Sequence, residues 1–221
     1  MYIPKSFTTD VILEIQCNLD KIEYHQGPTA LIFASKTPKI FSAGMDLKFM
    51  LKNGVKSGLA IFTELMKLFG RLLKFGVPTV AAINGHVVAG GLMLALACDY
   101  RIMSSDIGSA KMTEINLGMT LPRGGNHVLN AKVTPDVQRD FVLRGKVFSP
   151  QECLERKVVD YLVPSDKVMD RAIEMAKEVM QFGEKKQVYE MLKISTYFEA
   201  VNLGLEAKYS RGDVDALIPK I

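Results

Sequence analysis

Two stretches of the chain offer main-chain amides, rather than side chains, as their natural chemical groups. In "INGHVVAGGLMLALACDY", Ile83 to Tyr100, Gly90 and Gly91 follow a strand-like segment and open an apolar helix. Bare backbone lets a ligand approach closely, and the first N–H groups of a helix have no partner inside it, so they attract negative charge. Gly44 precedes Met45 in "KIFSAGMDLKFM", Lys39 to Met50, a second loop able to present an amide. Two such donors converging on one carbonyl oxygen would make an oxyanion hole, which stabilises charge as it develops there. Tight packing or turn geometry accounts for the same glycines without a ligand.

Glu114, in "KMTEINLGM", is the matching candidate for proton chemistry. Met112, Ile115 and Leu117 flank it, and desolvation in such a setting raises a carboxyl pKa towards the range useful for proton transfer. A solvated turn acid is the alternative reading. Asp99 closes the apolar run and is expected to accept hydrogen bonds at the helix end. His25, His86 and His127 belong to no ligand array, and Cys17, Cys98 and Cys153 lack metal-ligand spacing. No metal site is expected, and the cysteines read as small hydrophobes in a reducing compartment. Without a G-x-G-x-x-G, a nicotinamide is not supported, and no other cofactor is called for.

The elements that must position these groups follow from periodicity. With 48% hydrophobic residues among 221, the chain can bury one sizeable core. Its net charge of +4 comes from 28 basic and 24 acidic residues scattered along it, which makes no case for a nucleic-acid groove. Val87 to Cys98, the longest near-apolar run, is too short to cross a bilayer, and no signal core opens the chain, so membrane insertion is not expected. After Thr8 or Thr9 as a cap, Val11, Ile12, Ile15, Leu19 and Ile22 repeat at helical spacing. Strands are expected at Ala30 to Phe33, Thr79 to Ile83, Tyr100 to Met103 and Ser109 to Met112. Helices are expected from Leu59 to Phe75, after Gly90, from Gly124 to Ala131, after Pro135, after Pro150, from Ser165 to Met180 and from Lys185 to Leu205. Strands alternating with helices indicate an α/β fold.

Three blocks, "FSAGMDLKFM" from Phe41, the Ile83 to Tyr100 stretch and "TEINLGMTLPRGG" from Thr113, together resemble the enoyl-CoA hydratase/isomerase (crotonase) family in order and spacing. The likeness continues through "LRGKVFSPQECLERKVVDYLVP", Leu143 to Pro164. It implies a crotonase-like ββα spiral over residues 1–164, here without the family's usual N-terminal strand hairpin. It also implies a helical and oligomerisation region over 165–221, with assembly as a homotrimer or a dimer of trimers. By the same resemblance an acyl-CoA is the substrate, the amides of Met45 and Gly90 form the oxyanion hole, and Ala43, Gly44, Asp46, Gly91 and Met93 help to bind it.

The family's hydratases place two glutamates around the double bond; this sequence has Met93 at the first place and Glu114 at the second. A thioether cannot accept a proton or orient water as a carboxylate does. The single acid therefore resembles the arrangement in Δ3,Δ2-enoyl-CoA isomerases, particularly the plant form, and so does "GEKKQVYEMLKISTYFEA", Gly183 to Ala200. The resemblance implies a shift of the double bond of 3-enoyl-CoA to trans-2-enoyl-CoA in fatty-acid β-oxidation, with Glu114 as the catalytic acid–base. Hydration, another crotonase-type reaction and a non-catalytic oligomeric interaction protein stay open as alternatives. Arg123, Lys48 and Lys111 suit either a phosphate or the solvent, and peroxisome, mitochondrion and cytosol are all permitted.

Overall fold

The computed structural model describes residues 1–207. Its first helix, α1 (Thr9–Tyr24), begins where Thr8 accepts the Val11 N–H at 3.5 Å; Asp10 lies in its first turn and Lys21 in its last, and Ile12, Ile15 and Leu19 form its buried face. The second, α2 (Leu47–Lys74), is capped by Asp46, whose carboxylate accepts the Phe49 N–H at 2.9 Å. It starts at Leu47 rather than at the expected Leu59 because Gly54, with φ 77° and ψ 177°, kinks it without ending it. The expected helix is its second limb.

From there the chain repeats one unit three times. Strands β2 (Leu31–Ser35) and β3 (Ile40–Ser42) lead into α2; β4 (Thr79–Ile83) and β5 (His86–Val88) lead into α3 (Gly90–Ala97); β6 (Tyr100–Ser104) and β7 (Ala110–Lys111) lead towards α4 (Arg123–Lys132). The first strand of each pass joins a parallel sheet in the order β1-β2-β4-β6-β8, completed by β1 (Tyr2–Ile3) and β8 (Tyr161–Val163). The second joins a smaller parallel sheet, β3-β5-β7, with Ile40 opposite His86 and Val87 opposite Ala110. This is the ββα spiral. Strands β1, β3, β5 and β8 are absent from the sequence-based reading, since two or three residues are too few to show a period of two.

Burial explains the layers. All five residues of β4 are buried, as expected of a strand covered on both faces. One face of the large sheet presents Ala34, Val80, Ala82 and Ile102 to Val168, Ala172, Met175 and Val179 of α7 (Val168–Val179). The other faces the main core, in which α1, α2 and α3 contribute Leu19, Phe69 and Leu94. Helices α5 (Pro135–Val142) and α6 (Pro150–Glu155) follow α4, and α6 opens on a capping box between Ser149 and Glu152.

The helix expected from Lys185 to Leu205 divides at Tyr197 into α8 (Lys186–Thr196) and α9 (Phe198–Glu206). Helix α9 lies close against α2 and α4 because glycines meet there: a Cβ on Gly204 would stand 2.8 Å from the Gly70 Cα, and one on Gly124 would stand 3.2 Å from the Gly204 Cα. Residues 208–221 of the expected C-terminal region lie outside the described residues. None of the described helices is long and apolar enough to cross a membrane.

Helix α8 is tied to the core by charge. The Asp99 carboxylate accepts the Thr79 N–H and hydroxyl, each at 2.9 Å, and pairs with the Lys193 ammonium at 2.8 Å. Both side chains are about nine-tenths buried, at 11% and 8% exposure. Removing one member of such a pair strands the other charge away from water. Replacing Lys193 by Met is therefore expected to destabilise the fold by about 3 kcal/mol in urea unfolding, with partial recovery when Asp99→Asn is added.

Candidate active site

The three parallel strands of the small sheet all leave at the same edge. Strand β3 runs into Ala43–Asp46, β5 into Ala89 and Gly90, and β7 into Met112–Glu114. Ligands of open parallel sheets bind outside the carboxyl ends of the strands, and every stretch singled out for chemistry sits at such an end. The Ala89 N–H donates to the Lys111 carbonyl at 2.9 Å, which ties the exit of β5 to that of β7. Between β3 and β5 the join is closer still. A Cβ on Gly44 would lie 3.0 Å from both the Gly90 nitrogen and the Val88 oxygen, and Gly44 itself has φ +80°, so glycine is required twice over. A Cβ on Gly90 would stand 3.6 Å from the Gly44 Cα and 3.9 Å from the Met45 nitrogen.

An account of the amides shows which are free. Ala43 donates to the Lys5 carbonyl at 2.7 Å, Gly44 to the Ser42 hydroxyl at 3.2 Å and Asp46 to the Phe7 carbonyl at 3.1 Å. Among the described residues the Met45 N–H has no acceptor, although its neighbours on both sides are engaged. On the other wall Ala89 holds φ 49° and ψ −120°, a conformation costly for an alanine. That turn makes Gly90 the first residue of α3, and its N–H also has no acceptor among the described residues. Two neighbouring backbone segments thus each keep an unused donor.

Glu114 follows β7 by three residues. Its Oε2 accepts the Thr113 N–H at 2.7 Å, and its own carbonyl accepts the Leu117 and Met119 N–H groups at 3.0 and 2.9 Å, which fixes the backbone from which the acid projects. Burial raises the carboxyl pKa above 4.5, and the backbone hydrogen bonds oppose that rise only in part. Glu114 makes no ion pair among the described residues. A desolvated carboxyl without a cation partner suits an acid that must both take up and release a proton.

The other residues assigned by resemblance have these surroundings. Asp46 caps α2, and the Ala43 amide is held by Lys5. Gly91 packs on Ser42, where a Cβ would come within 2.6 Å of the serine Cβ. Met93 is 2% exposed, its sulfur 3.0 Å from where a Gly125 Cβ would be, and Met66 fills the same gap between α3 and α4. Arg123 and Lys48 are exposed and Lys111 is half-buried. Sequence reasoning missed Ala89, Ser42 and the Lys5–Phe7 segment. An alanine does not advertise a positive φ, and Lys5–Phe7 is brought to the loop only by tertiary structure.

The raised pKa of Glu114 has a consequence for stability. A carboxyl that binds its proton more tightly in the folded chain favours folding at low pH, and that contribution is lost as pH rises from 4.5 through the raised folded value. Thermal melts should therefore find Glu114→Gln more stable than the parent at neutral pH. The difference should shrink to nothing below about pH 4.

Comparison with known proteins identifies the family and the fold. The model of the enoyl-CoA hydratase/isomerase family matches residues 4–210. Peroxisomal enoyl-CoA delta isomerase 2 of Arabidopsis thaliana is 28% identical over 211 residues, covering 91% of this chain and 88% of the plant protein. Mitochondrial enoyl-CoA delta isomerase 1 of Mus musculus is 34% identical over 172 residues, covering 76% of this chain and 58% of the mouse protein. Among solved structures, an enoyl-CoA hydratase of Mycobacterium ulcerans superposes with a TM-score of 0.82 at 24% identity, over 96% of this chain and 88% of that one. The human mitochondrial delta3-delta2-enoyl-CoA isomerase gives 0.79 at 24% identity, over 96% and 86%. With its spiral of parallel strands and its paired glycine loops, the chain belongs to the enoyl-CoA hydratase/isomerase family and has the crotonase fold.

Proposed function

We propose that the protein is a Δ3,Δ2-enoyl-CoA isomerase of fatty-acid β-oxidation. The observation that carries this reading is a single desolvated carboxyl, Glu114, at the strand edge where two amides without acceptors stand side by side. The thioester oxygen of a 3-enoyl-CoA takes up the Met45 and Gly90 N–H groups. Carboxylate Glu114 removes a proton from carbon two, and the electron pair spreads over the thioester and the old double bond as a dienolate. The two amides hold the negative charge that this places on oxygen. Glu114, now protonated, returns its proton to carbon four, and the double bond comes to rest between carbons two and three. No atom is gained or lost.

Hydration would need a second polar group to hold water. The place where family hydratases carry that acid is occupied by Met93, packed on Gly125 and Met66. The delta isomerase names of the plant and mouse relatives support the same choice. Exposed apolar side chains on the C-terminal helices, Val188, Met191, Leu192 and Phe198, support contact with further copies of the chain, because surfaces of this kind gain from being covered; a trimer or a dimer of trimers is the assembly proposed.

Purified protein should convert 3-enoyl-CoA to the trans-2 isomer far faster than it hydrates trans-2-enoyl-CoA; the opposite ranking would replace isomerase by hydratase. Glu114→Gln is expected to lower turnover by about 10²–10⁴-fold with the fold intact. Since the base must be ionised, kcat/KM of the parent should fall with acidification through a pKa above 4.5. That limb should be missing from whatever activity the Gln variant retains.

A further inference from the structure

Beneath the two amides lies a hydroxyl to which no role has been given. Ser42, the last residue of β3, is 0% exposed. Its Oγ accepts the Gly44 N–H at 3.2 Å and donates to the Lys5 carbonyl at 3.4 Å. Its far side is closed by α3: a Cβ on Gly91 would fall 2.6 Å from the Ser42 Cβ, 2.7 Å from its carbonyl oxygen and 2.8 Å from Oγ. One side chain therefore touches the N-terminal segment, the Gly44 turn and the first turn of the helix that presents Gly90.

We infer that Ser42 is a positioning residue for the oxyanion hole, its hydroxyl fixing the turn that turns the Met45 amide towards the substrate oxygen. The inference rests on the oxyanion reading proposed above. A serine hydroxyl that accepts the N–H two residues later sets the intervening backbone as a turn. Here that bond occupies the Gly44 amide, while the Gly44 carbonyl accepts the Phe7 N–H at 2.8 Å. With both polar groups of Gly44 held, the adjoining peptide that bears the Met45 N–H has little freedom to rotate. Without the hydroxyl, a buried N–H loses its acceptor, which is costly if the turn does not move. The turn can escape that cost by moving, and any such movement misaims the next amide. Ser42 does not reach the substrate, so its effect falls on the charged intermediate more than on binding.

The test compares the full chain with Ser42→Ala and Ser42→Cys, using two probes. The first is turnover of a 3-enoyl-CoA; the second is the ultraviolet absorbance of the enolate formed by a bound 3-ketoacyl-CoA, titrated with pH. For Ser42→Ala we expect kcat to fall by about tenfold or more, less than the loss of a whole donor, with KM changed by less than about threefold. The enolate should also form at a higher pH than in the parent. Ser42→Cys, whose sulfur is a weaker acceptor, should lie between the two. A Ser42→Ala protein that ionises the 3-ketoacyl-CoA as the parent does overturns the inference, even if it melts at a lower temperature, because that is the signature of a purely structural side chain. A parent that ionises the probe but moves no double bond overturns the isomerase reading and leaves Ser42 to be judged by the titration. A parent that does neither removes the oxyanion hole and the role of Ser42 with it.

Discussion

The contact on which the site depends is the approach of one backbone to another at Gly44 and Gly90. It exists because β3 and β5 are parallel neighbours, so that their exits emerge side by side and can touch if neither carries a side chain at the crossing point. An antiparallel pair would send the two loops to opposite edges of the sheet. The third parallel strand, β7, adds the segment that bears Glu114 to the same edge. Three chain crossings, separated by α2 and α3, are thereby brought to one place by hydrogen bonds that involve no site side chain.

The remainder of the molecule serves to hold that small sheet still. It has only three short strands, and alone it would be too slight to be stable. The large sheet, the helices of the main core and α7 surround the spiral, while the C-terminal helices are fastened by charge as well as by apolar contact. Lys193 of α8 reaches Asp99, and Lys186 at the start of the same helix donates to the Ile22 and Glu23 carbonyls at the end of α1. Arg101 completes the arrangement from β6, with hydrogen bonds to the Cys98 and Val158 carbonyls and an ion pair to Asp160. These charges are partnered, as burial requires.

How much of this could be read from the chain depended on length. Helix α1, with its cap and its Ile12, Ile15, Leu19 face, and strand β4, with five apolar residues in a row, declare themselves because each is long enough to show a period or its absence. Strands β3 and β5 do not, being three residues long, and yet they carry two of the three loops at the site edge, whereas β7 falls inside the strand expected at Ser109 to Met112. The glycines and Glu114 were legible as residue types, and family resemblance supplied their roles. What joins them was not legible: the backbone of Ala89 takes a conformation seldom found for alanine, and the Lys5–Phe7 segment meets the Gly44 loop across a distance in sequence that no local pattern spans.

In the proposed mechanism the free donors on both walls belong to peptide groups, whereas the proton carrier is one side chain. Substitution can erase or replace a carboxyl in a single step, but it cannot delete an N–H from the chain except by proline. The gripping half of the machinery is thus inherited with the path of the polypeptide, and the reactive half is left open to revision. A scaffold divided in this way can exchange its chemistry while its hold on a shared handle persists.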